Sequence, residues 1–248
     1  MKWFVKYSAV TFIFICMLCT EVSSQITIDT SFEGANARIL SINNAANTVK
    51  IESKLRAGDV HNVVFYCRIS GFNVSQPLKI QVKISQQYYM PVYAAYSYDR
   101  VNWTRITGVI TGDSKEFSRI YQQNDIYFSF AYPYSYSDLL NLESRYSANQ
   151  FVIVSDIAVS SGGRNVKLFR FTEPCVNDSG KVSIWVLGRN HAMETHSNYV
   201  IEGLCDFLAS GDFRADMLRR QAIIYVVPVM DVDMAFSGGT GKDQLPID

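Results

Sequence analysis

Histidine and cysteine are both scarce in this chain, and this restricts the metal sites and cross-links that it can form. The sequence has 3 His, at positions 61, 191 and 196, and 5 Cys, of which Cys16 and Cys19 lie in an apolar N-terminal stretch. The remaining Cys67, Cys175 and Cys205 are odd in number and have no zinc-like C-x-x-C spacing, so neither a disulfide framework nor a cysteine zinc site is expected. Two of them, Cys67 and Cys205, occupy apolar positions of predicted elements and are predicted to be buried small hydrophobes.

The formal net charge of the chain is zero. The 23 Lys and Arg balance the 23 Asp and Glu, and no cluster of basic residues occurs. Proteins that bind nucleic acids or anionic membranes present basic patches, so we expect no nucleic-acid partner. With 48% hydrophobic and 13% aromatic content over 248 residues, the chain can bury a sizeable core and is long enough for two modest domains.

The apolar run near the N-terminus is too short to span a membrane comfortably. Lys2 and Lys6 precede this run at residues 9–18, and small residues follow at 22–24 before Gln25. This order is typical of a secretory signal peptide that is cut near Ser24. The sequence therefore predicts a signal peptide at 1–24, a secreted or periplasmic location, and no stable membrane insertion after cleavage.

Residues 25–131 have the pattern of an all-β domain. Leu78–Ile84 alternates apolar and polar residues without a break, and Val63–Ile69 alternates in the same way. Further runs rich in tyrosine and β-branched residues occur at 91–98, 103–107 and 126–131. Short strands at close spacing with polar turns predict a β-sandwich. Its tyrosines have two interpretations, a carbohydrate or peptide platform and ordinary packing, of which packing is favoured.

Residues 150–248 have the pattern of an α/β domain, preceded by a linker at 132–149. Apolar runs at 182–187 and 222–229 flank a segment in which apolar residues recur at helical spacing. Strand, helix, strand in this order predicts a parallel βαβ unit, and the continuous run at 182–187 predicts a strand buried on both faces. The predicted fold class is therefore a β-sandwich followed by a partial α/β domain, with a mixed, largely parallel sheet and flanking helices.

Two more strands precede this unit, at 151–159 and 166–171, with Gly162 and Gly163 in the tight turn between them. Arg164 follows the turn, and of its two interpretations we favour an arginine that ties the turn to neighbouring backbone over a substrate contact. Asp231 and Asp233 end the last strand. They either orient a metal ligand or cap the following loop, and the sequence favours neither.

A candidate metal corner follows the strand at 182–187. His191 and Glu194 lie three positions apart between an apolar strand and an amphipathic helix. Imidazole nitrogen and carboxylate oxygen suit zinc, and the carboxyl end of a strand is where open α/β sheets place ligands. The alternative is a solvent-facing pair on the first helical turn, because H-x-x-E alone is a weak motif. His196 is rotated off the metal face, and Thr195 or Ser197 is available to cap the helix.

Several ordered motifs together resemble the M14 zinc carboxypeptidases, particularly the cytosolic-carboxypeptidase-like branch. Residues 188–195 read G-R-N-H-A-M-E-T, and residues 202–208 read E-G-L-C-D-F-L, as in the family's zinc-ligand corner and the helix after it. Residues 132–140 resemble the phrase that joins this branch's β-sandwich to its catalytic domain. Residues 160–164 and 225–233 resemble its Ser-x-x-Gly-Arg turn and its V-P-M strand end. The similarity runs in register from about Phe65 to Asp248.

The resemblance implies a zinc-dependent metallocarboxypeptidase that hydrolyses C-terminal residues from peptides or proteins, with His191 and Glu194 as ligands of Zn²⁺. The family's last zinc-ligating His, its catalytic Glu and its Asn-Arg pair would fall beyond Asp248, so the chain alone is expected to be inactive. Two alternatives stay open. One is a zinc-dependent deacylase of the succinylglutamate desuccinylase or aspartoacylase type, and the other is a non-catalytic module that binds peptide or carbohydrate.

The chain also departs from the family pattern in two places. Met234 stands where a Gly usually follows the strand-end Asp, and only Lys242 or Gln244 stands in the loop that normally supplies an Arg. These departures concern recognition of the substrate carboxylate and leave the metal corner unaffected.

Overall fold

The computed structural model describes residues 25–56, 63–83 and 92–241. The predicted signal peptide at 1–24 lies outside the described residues, as do His61, Lys242 and Gln244. Within the described ranges, every helix is too short or too polar to cross a membrane.

The N-terminal part of the described chain consists of two five-stranded sheets. Its strands are β1 (Thr27–Asp29), β2 (Arg38–Asn43), β3 (Thr48–Glu52), β4 (Tyr66–Ser70), β5 (Leu78–Lys83), β6 (Tyr93–Ser97), β7 (Trp103–Thr107), β8 (Val109–Thr111), β9 (Ser114–Arg119) and β10 (Asp125–Ser129). One sheet has the order β1-β4-β10-β6-β7 and the other β2-β3-β5-β9-β8. The described pairings are antiparallel, except that β3 and β5 run parallel.

Side chains from both sheets meet in one apolar core. In β5, Leu78, Ile80 and Val82 are buried in alternation with more exposed polar residues, as the sequence pattern predicts. Phe117 of β9 and Phe128 of β10 join the two sheets, because their ring centres lie 5.4 Å apart in edge-to-face contact. Each such buried side chain contributes about 1.5–3 kcal/mol to folding. The two sheets thus pack face to face, which agrees in outline with the predicted sandwich.

A helix occupies most of the segment that the sequence analysis assigned to a linker. α1 (Tyr136–Tyr146) begins with a capping box, in which the Asp138 backbone N–H donates to the Ser135 hydroxyl at 3.3 Å and the Ser135 N–H donates to the Asp138 carboxylate at 2.6 Å. Glu33, from the loop after β1, accepts a hydrogen bond from the Ser137 backbone N–H at 2.8 Å. The S-x-x-D pattern at 135–138 is the sequence signal for this helix start.

The C-terminal part contains a four-stranded mixed sheet. Its elements after α1 are β11 (Val152–Val159), β12 (Asn165–Phe171), β13 (Val182–Leu187), α2 (His196–Ala209), α3 (Phe213–Gln221), β14 (Ala222–Val227) and α4 (Val232–Ser237). The strand order is β11-β12-β14-β13. β13 and β14 run parallel, as predicted, but β12 is antiparallel to both β11 and β14. The sheet is therefore mixed, and the prediction that it is largely parallel is wrong for the described strands, because a tight turn reverses the chain between β11 and β12.

The prediction that β13 is buried on both faces is also wrong. β13 forms an edge of the described sheet, and Val182 and Trp185 are 61% and 55% exposed. Trp185 stacks on Tyr225 of β14 with ring centres 4.6 Å apart, so even this contact lies at the surface. The buried parallel strand is β14, which lies between β12 and β13. A continuous apolar run predicts a strand, but its burial depends on the elements that pack over it.

The N-terminal and C-terminal parts are tied together by the segment between β1 and β2. The Gly34 backbone N–H donates to the Phe236 carbonyl at 2.8 Å. The buried Asn36 side chain donates to the Gly238 carbonyl at 2.6 Å. Because a buried polar group without a partner is costly, these bonds fix the end of α4 against the N-terminal part.

Both cysteines that the sequence places on apolar faces are buried. Cys67 lies in the core between the five-stranded sheets, and Cys205 lies on the buried face of α2. Cys175 is exposed. Burial raises the pKa of the Cys67 thiol and of the Cys205 thiol to about 12. Both thiols are therefore protonated at neutral pH and pack as small apolar groups.

Two adjacent arginines of α3 lie in opposite environments. Arg219 is 1% exposed, and its Nη1 donates to the Leu208 carbonyl at 2.6 Å and to the Ser210 carbonyl at 2.9 Å. Arg220 lies at the surface, where it pairs with Asp216 at 2.8 Å. The buried arginine therefore joins α3 to the end of α2, and the exposed one joins only neighbouring turns of one helix.

We expect Arg219→Met to lower the free energy of unfolding by about 3 kcal/mol, because buried carbonyl oxygens lose their donors and the nearby buried Glu173 loses its cation. Arg220→Met is the matched control and should leave the unfolding midpoint almost unchanged, since exposed ion pairs add little. Urea denaturation followed by circular dichroism measures both. Equal midpoints for the two variants would contradict the structural role of Arg219.

Candidate metal centre

The backbone after β13 stays beside the end of β14 and forms a corner. The Gly188 N–H donates to the Val227 carbonyl at 2.9 Å, and the Met230 N–H donates to the Gly188 carbonyl at 3.0 Å. A Cβ atom at Gly188 would lie 2.7 Å from the Pro228 carbonyl oxygen, so this close approach requires glycine. The Asn198 side chain donates to the same Pro228 carbonyl at 2.9 Å and thereby ties the first turn of α2 to the corner.

A buried arginine supports the corner from inside, and the sequence analysis did not single it out. Arg189 is 4% exposed and has a positive φ of 49°. Its Nε donates to the Ala192 carbonyl at 2.9 Å, and its terminal nitrogens donate to the carbonyls of Ala192 and Tyr134. Burial lowers the pKa of Arg189 to about 10, so the side chain keeps its charge at neutral pH. The turn that carries His191 is thus pinned to the segment before α1.

The loop after α4 covers the corner from the other side. The Met193 N–H donates to the Thr240 carbonyl at 2.9 Å. Gly241 has a φ of 67°, and a Cβ atom there would lie 2.7 Å from the Ala192 backbone nitrogen. Glycine is therefore required at this position both for its backbone conformation and for the close contact.

His191 and Glu194 lie side by side past the carboxyl end of β13, as the sequence predicts. The His191 Nδ1 atom lies 2.8 Å from the Glu194 Oε1 atom, and the two side chains are 27% and 47% exposed. Two atoms bonded at about 2.1 Å to a tetrahedral ion lie about 3.4 Å apart, so a small widening of this pair would admit zinc. Residues 25–56, 63–83 and 92–241 contain no group of three His, Cys, Asp or Glu side chains arranged to hold a metal ion. The corner therefore offers two donor atoms of the types that zinc binds, at a spacing shorter than bound zinc requires.

The other candidate residues of the corner have different positions. His196 is exposed at the start of α2, which agrees with its predicted surface position. Thr195 is the N-cap residue of α2 but makes no side-chain cap hydrogen bond, and its side chain is buried. Asp231 accepts a hydrogen bond from the Met234 N–H at 3.0 Å, so it caps α4.

Asp233 holds the turn between β11 and β12 against α4. Its carboxylate accepts hydrogen bonds from the Ser160 hydroxyl at 2.8 Å and from the Gly162 N–H at 2.8 Å. Arg164 Nη1 pairs with the same carboxylate at 2.9 Å, and its guanidinium carbon lies 3.6 Å from the centre of the Phe236 ring. These donors lower the pKa of the Asp233 carboxyl, against the opposing effect of burial, which is the largest single contribution. The contacts favour structural roles for Asp233 and Arg164.

Models of two known families match adjoining parts of the chain. The model described as cytosolic carboxypeptidase N-terminal domain matches residues 28–132. The model described as zinc carboxypeptidase matches residues 135–236, which include His191 and Glu194. The two matches thus follow one another along nearly all of the described chain.

The relatives include several cytosolic carboxypeptidases. Cytosolic carboxypeptidase 2 of Xenopus tropicalis is 32% identical over 119 residues, which are 45% of this chain and 12% of the relative. Cytosolic carboxypeptidase 6 of Mus musculus is 30% identical over 122 residues, 47% of this chain and 23% of the relative. Cytosolic carboxypeptidase 1 of Gallus gallus is 23% identical over 270 residues, 90% of this chain and 22% of the relative. The chain thus spans less than a quarter of the length of each of these relatives.

These relatives correct the predicted location. All three are named cytosolic carboxypeptidases, which contradicts the secreted or periplasmic location predicted from the N-terminus. The prediction failed because it depended on the composition of residues 1–24 alone. An apolar run of that length with basic residues before it is a pattern that carries no information about the fold that follows.

Solved structures share the fold of the chain. A metallo-carboxypeptidase from Burkholderia cenocepacia has a TM-score of 0.79 at 20% identity, over 87% of this chain and 58% of that one. A metallo-carboxypeptidase from Pseudomonas aeruginosa, in complex with (2-guanidinoethylmercapto)succinic acid, has a TM-score of 0.78 at 22% identity, over 86% and 58%. At this identity the likeness shows the fold alone. The two adjoining family matches, with the cytosolic carboxypeptidases among the relatives, show that the chain belongs to the M14 family of zinc carboxypeptidases, in its cytosolic-carboxypeptidase-like branch.

Proposed function

We propose that this chain supplies the zinc-binding corner of a metallocarboxypeptidase, an enzyme that hydrolyses C-terminal residues from peptides or proteins. His191 Nδ1 and Glu194 Oε1 are the proposed zinc ligands. The observation that carries the proposal is the 2.8 Å separation of these two atoms, within the segment that matches the zinc carboxypeptidase model. Hydrogen bonds from Arg189 hold the turn on which they lie. Both side chains are partly exposed, so an ion and a substrate can reach them.

Zinc bound at such a corner polarises a carbonyl group and lowers the pKa of its bound water. In this arrangement His191 and Glu194 would bind the ion, Arg189 fixes the turn that carries them, and residues 238–241 cover that turn. The described residues contain no group of three His, Cys, Asp or Glu side chains able to hold a metal ion. We propose that the third ligand and the general base are the family's last zinc-ligating His and its catalytic Glu, outside the described residues.

We also propose the division into a β-sandwich at 25–131, a joining segment at 132–149 and a catalytic portion from residue 150. Two separate apolar cores support it, one between the five-stranded sheets and one around the four-stranded sheet. The match of residues 28–132 to a carboxypeptidase N-terminal domain favours the peptidase over a deacylase of the aspartoacylase type. A vestigial binding module differs from this proposal because its zinc affinity would not depend on His191 and Glu194, and the titrations below measure that dependence.

Zinc affinity tests the ligands directly. We expect the metal-free chain to bind zinc weakly, and His191→Ala and Glu194→Ala each to weaken binding by at least about tenfold, because each removes a bond to the metal. His196→Ala is the matched control, since its imidazole is exposed beside the corner, and it should bind zinc like the parent. Isothermal titration calorimetry measures all four proteins. The ligand assignment is wrong if His196→Ala loses zinc and Glu194→Ala keeps it.

Arg189→Gln should weaken zinc binding by about tenfold although Arg189 does not contact the proposed ligand atoms. Groups that orient metal ligands typically change metal affinity by this amount, and Gln cannot reach both carbonyls that Arg189 holds. Arg214→Gln, which breaks an exposed pair with Asp212 at the start of α3, is the control. Zinc titration and the unfolding midpoint are measured together. Unchanged zinc affinity in a destabilised Arg189→Gln protein would limit this residue to a structural role.

The chain by itself should release no C-terminal residue from a panel of peptides. Catalytic zinc normally has three protein ligands and a water, and the corner supplies two ligands. Mass spectrometry of the peptides after incubation with zinc-loaded protein tests this expectation. Robust turnover that a chelator abolishes would show that the chain completes its own active site.

A further inference from the structure

A cavity of about 390 Å³ lies between the N-terminal and C-terminal parts. Residues of the loop between β6 and β7 line it, and it is large enough for a small organic ligand. Its aromatic lining consists of Tyr66, Trp103, Phe130, Tyr134 and Tyr199. His191 and Glu194 do not line it, although Arg189, Ala192 and Thr195 of the same corner do. The cavity thus adjoins the corner without being lined by the proposed zinc ligands.

The two carboxylates that line the cavity are already satisfied by their own turns. Asp99 accepts hydrogen bonds from the backbone N–H groups of Val101 at 2.8 Å and Asn102 at 2.7 Å. These and other local donors hold the pKa of the Asp99 carboxyl well below its usual range. Asp138 accepts from the Ser135 N–H in the capping box of α1. Neither carboxylate therefore needs a cationic ligand.

Arg100, in contrast, is an exposed residue that lines the cavity and makes one side-chain hydrogen bond to the described residues. Its Nε donates to the Tyr66 hydroxyl at 3.2 Å, and its guanidinium carbon lies 5.2 Å from the Phe32 ring centre and 5.5 Å from that of Tyr127. Within residues 25–56, 63–83 and 92–241, no carboxylate or carbonyl oxygen pairs with its terminal nitrogens. The rings hold the cation in position without neutralising its charge.

Thr195 adds a second group that lacks a partner. It lines the cavity, it is 4% exposed, and its hydroxyl has no hydrogen-bond partner among the described residues. A buried hydroxyl without a partner is unfavourable, and it is usually satisfied when a site is filled. The Arg189 guanidinium lies in the same wall and adds positive potential, while its own donors are taken by backbone carbonyls. The cavity thus offers donors and positive charge that an acceptor would satisfy.

We propose that this cavity binds a small free carboxylic acid with a flat apolar body. The carboxylate pairs with the terminal nitrogens of Arg100, because a planar guanidinium can donate two parallel hydrogen bonds to the two oxygens of one carboxylate. The apolar body packs between Trp103 and Phe130, where an aromatic ring finds aromatic partners. Since the walls come from both parts of the chain, the bound acid would hold the segment 189–195 against the N-terminal part.

The test uses 4-fluorobenzoate as the probe and 4-fluorobenzamide as its uncharged match, with fluorine NMR line broadening as the measurement. All titrations contain EDTA, so that no metal ion at His191 and Glu194 can hold the acid. We expect saturable binding of the acid, and amide binding that is weaker by about tenfold or more. Arg100→Gln should weaken acid binding by about tenfold, and Thr195→Val by about threefold.

Arg119→Gln is the matched control, because Arg119 also stacks on an aromatic ring, that of Tyr96, but does not line the cavity. This variant should bind the acid like the parent. Equal binding of acid and amide, or equal losses in Arg100→Gln and Arg119→Gln, would overturn the proposal. The peptide Ala-Ala-Ala-Phe is a competitor in a second arm. Failure of the peptide to displace the probe supports a site for free acids, whereas displacement would reassign the cavity to chain termini and overturn the small-molecule assignment.

Discussion

At Gly188 the backbone leaves β13 and remains within hydrogen-bonding distance of Val227 and Met230, because no side chain separates the two segments. This contact continues the parallel pairing of β13 and β14 past the end of the sheet. It sets where His191 and Glu194 emerge, and Asn198 brings the start of α2 to the neighbouring Pro228 carbonyl. A larger residue at position 188 would move both proposed ligands and the helix behind them together.

The corner depends on the N-terminal part as well as on its own sheet. Asn36 and Gly34 hold the end of α4, and the loop from Gly238 to Gly241 then covers the residues 191–193. Arg189 reaches in the opposite direction, to the Tyr134 carbonyl just before α1. The five-stranded sheets are therefore part of the support of the metal corner, which gives a physical reason for the two matched families to occur side by side in one chain.

Local sequence patterns predicted most of the strands and helices correctly, but they did not predict which of these elements are buried. The alternation in β5 and the apolar run of β13 predicted strands where strands occur, and the helical spacing at 200–208 predicted α2. The exposure of β13 could not be predicted, because it depends on which elements pack over the strand. α1 was missed although residues 135–138 contain its capping box and Leu139, Leu142 and Tyr146 recur at helical spacing, because the segment was interpreted as a linker from its resemblance to the family's joining phrase. The pair His191 and Glu194 was visible as a motif, whereas the role of Arg189 depends on carbonyls 3 and 55 positions away along the chain.

The proposed ligand set also has a consequence for which metal the protein acquires. The thiols of Cys67 and Cys205 are buried and protonated, and the proposed ligands are one imidazole nitrogen and one carboxylate oxygen without a thiolate. Donors of this kind bind divalent copper more tightly than zinc, in the usual order of first-row metals. Affinity alone would therefore not select zinc. The identity of the bound ion would be decided by which metals are available in the compartment where the chain folds.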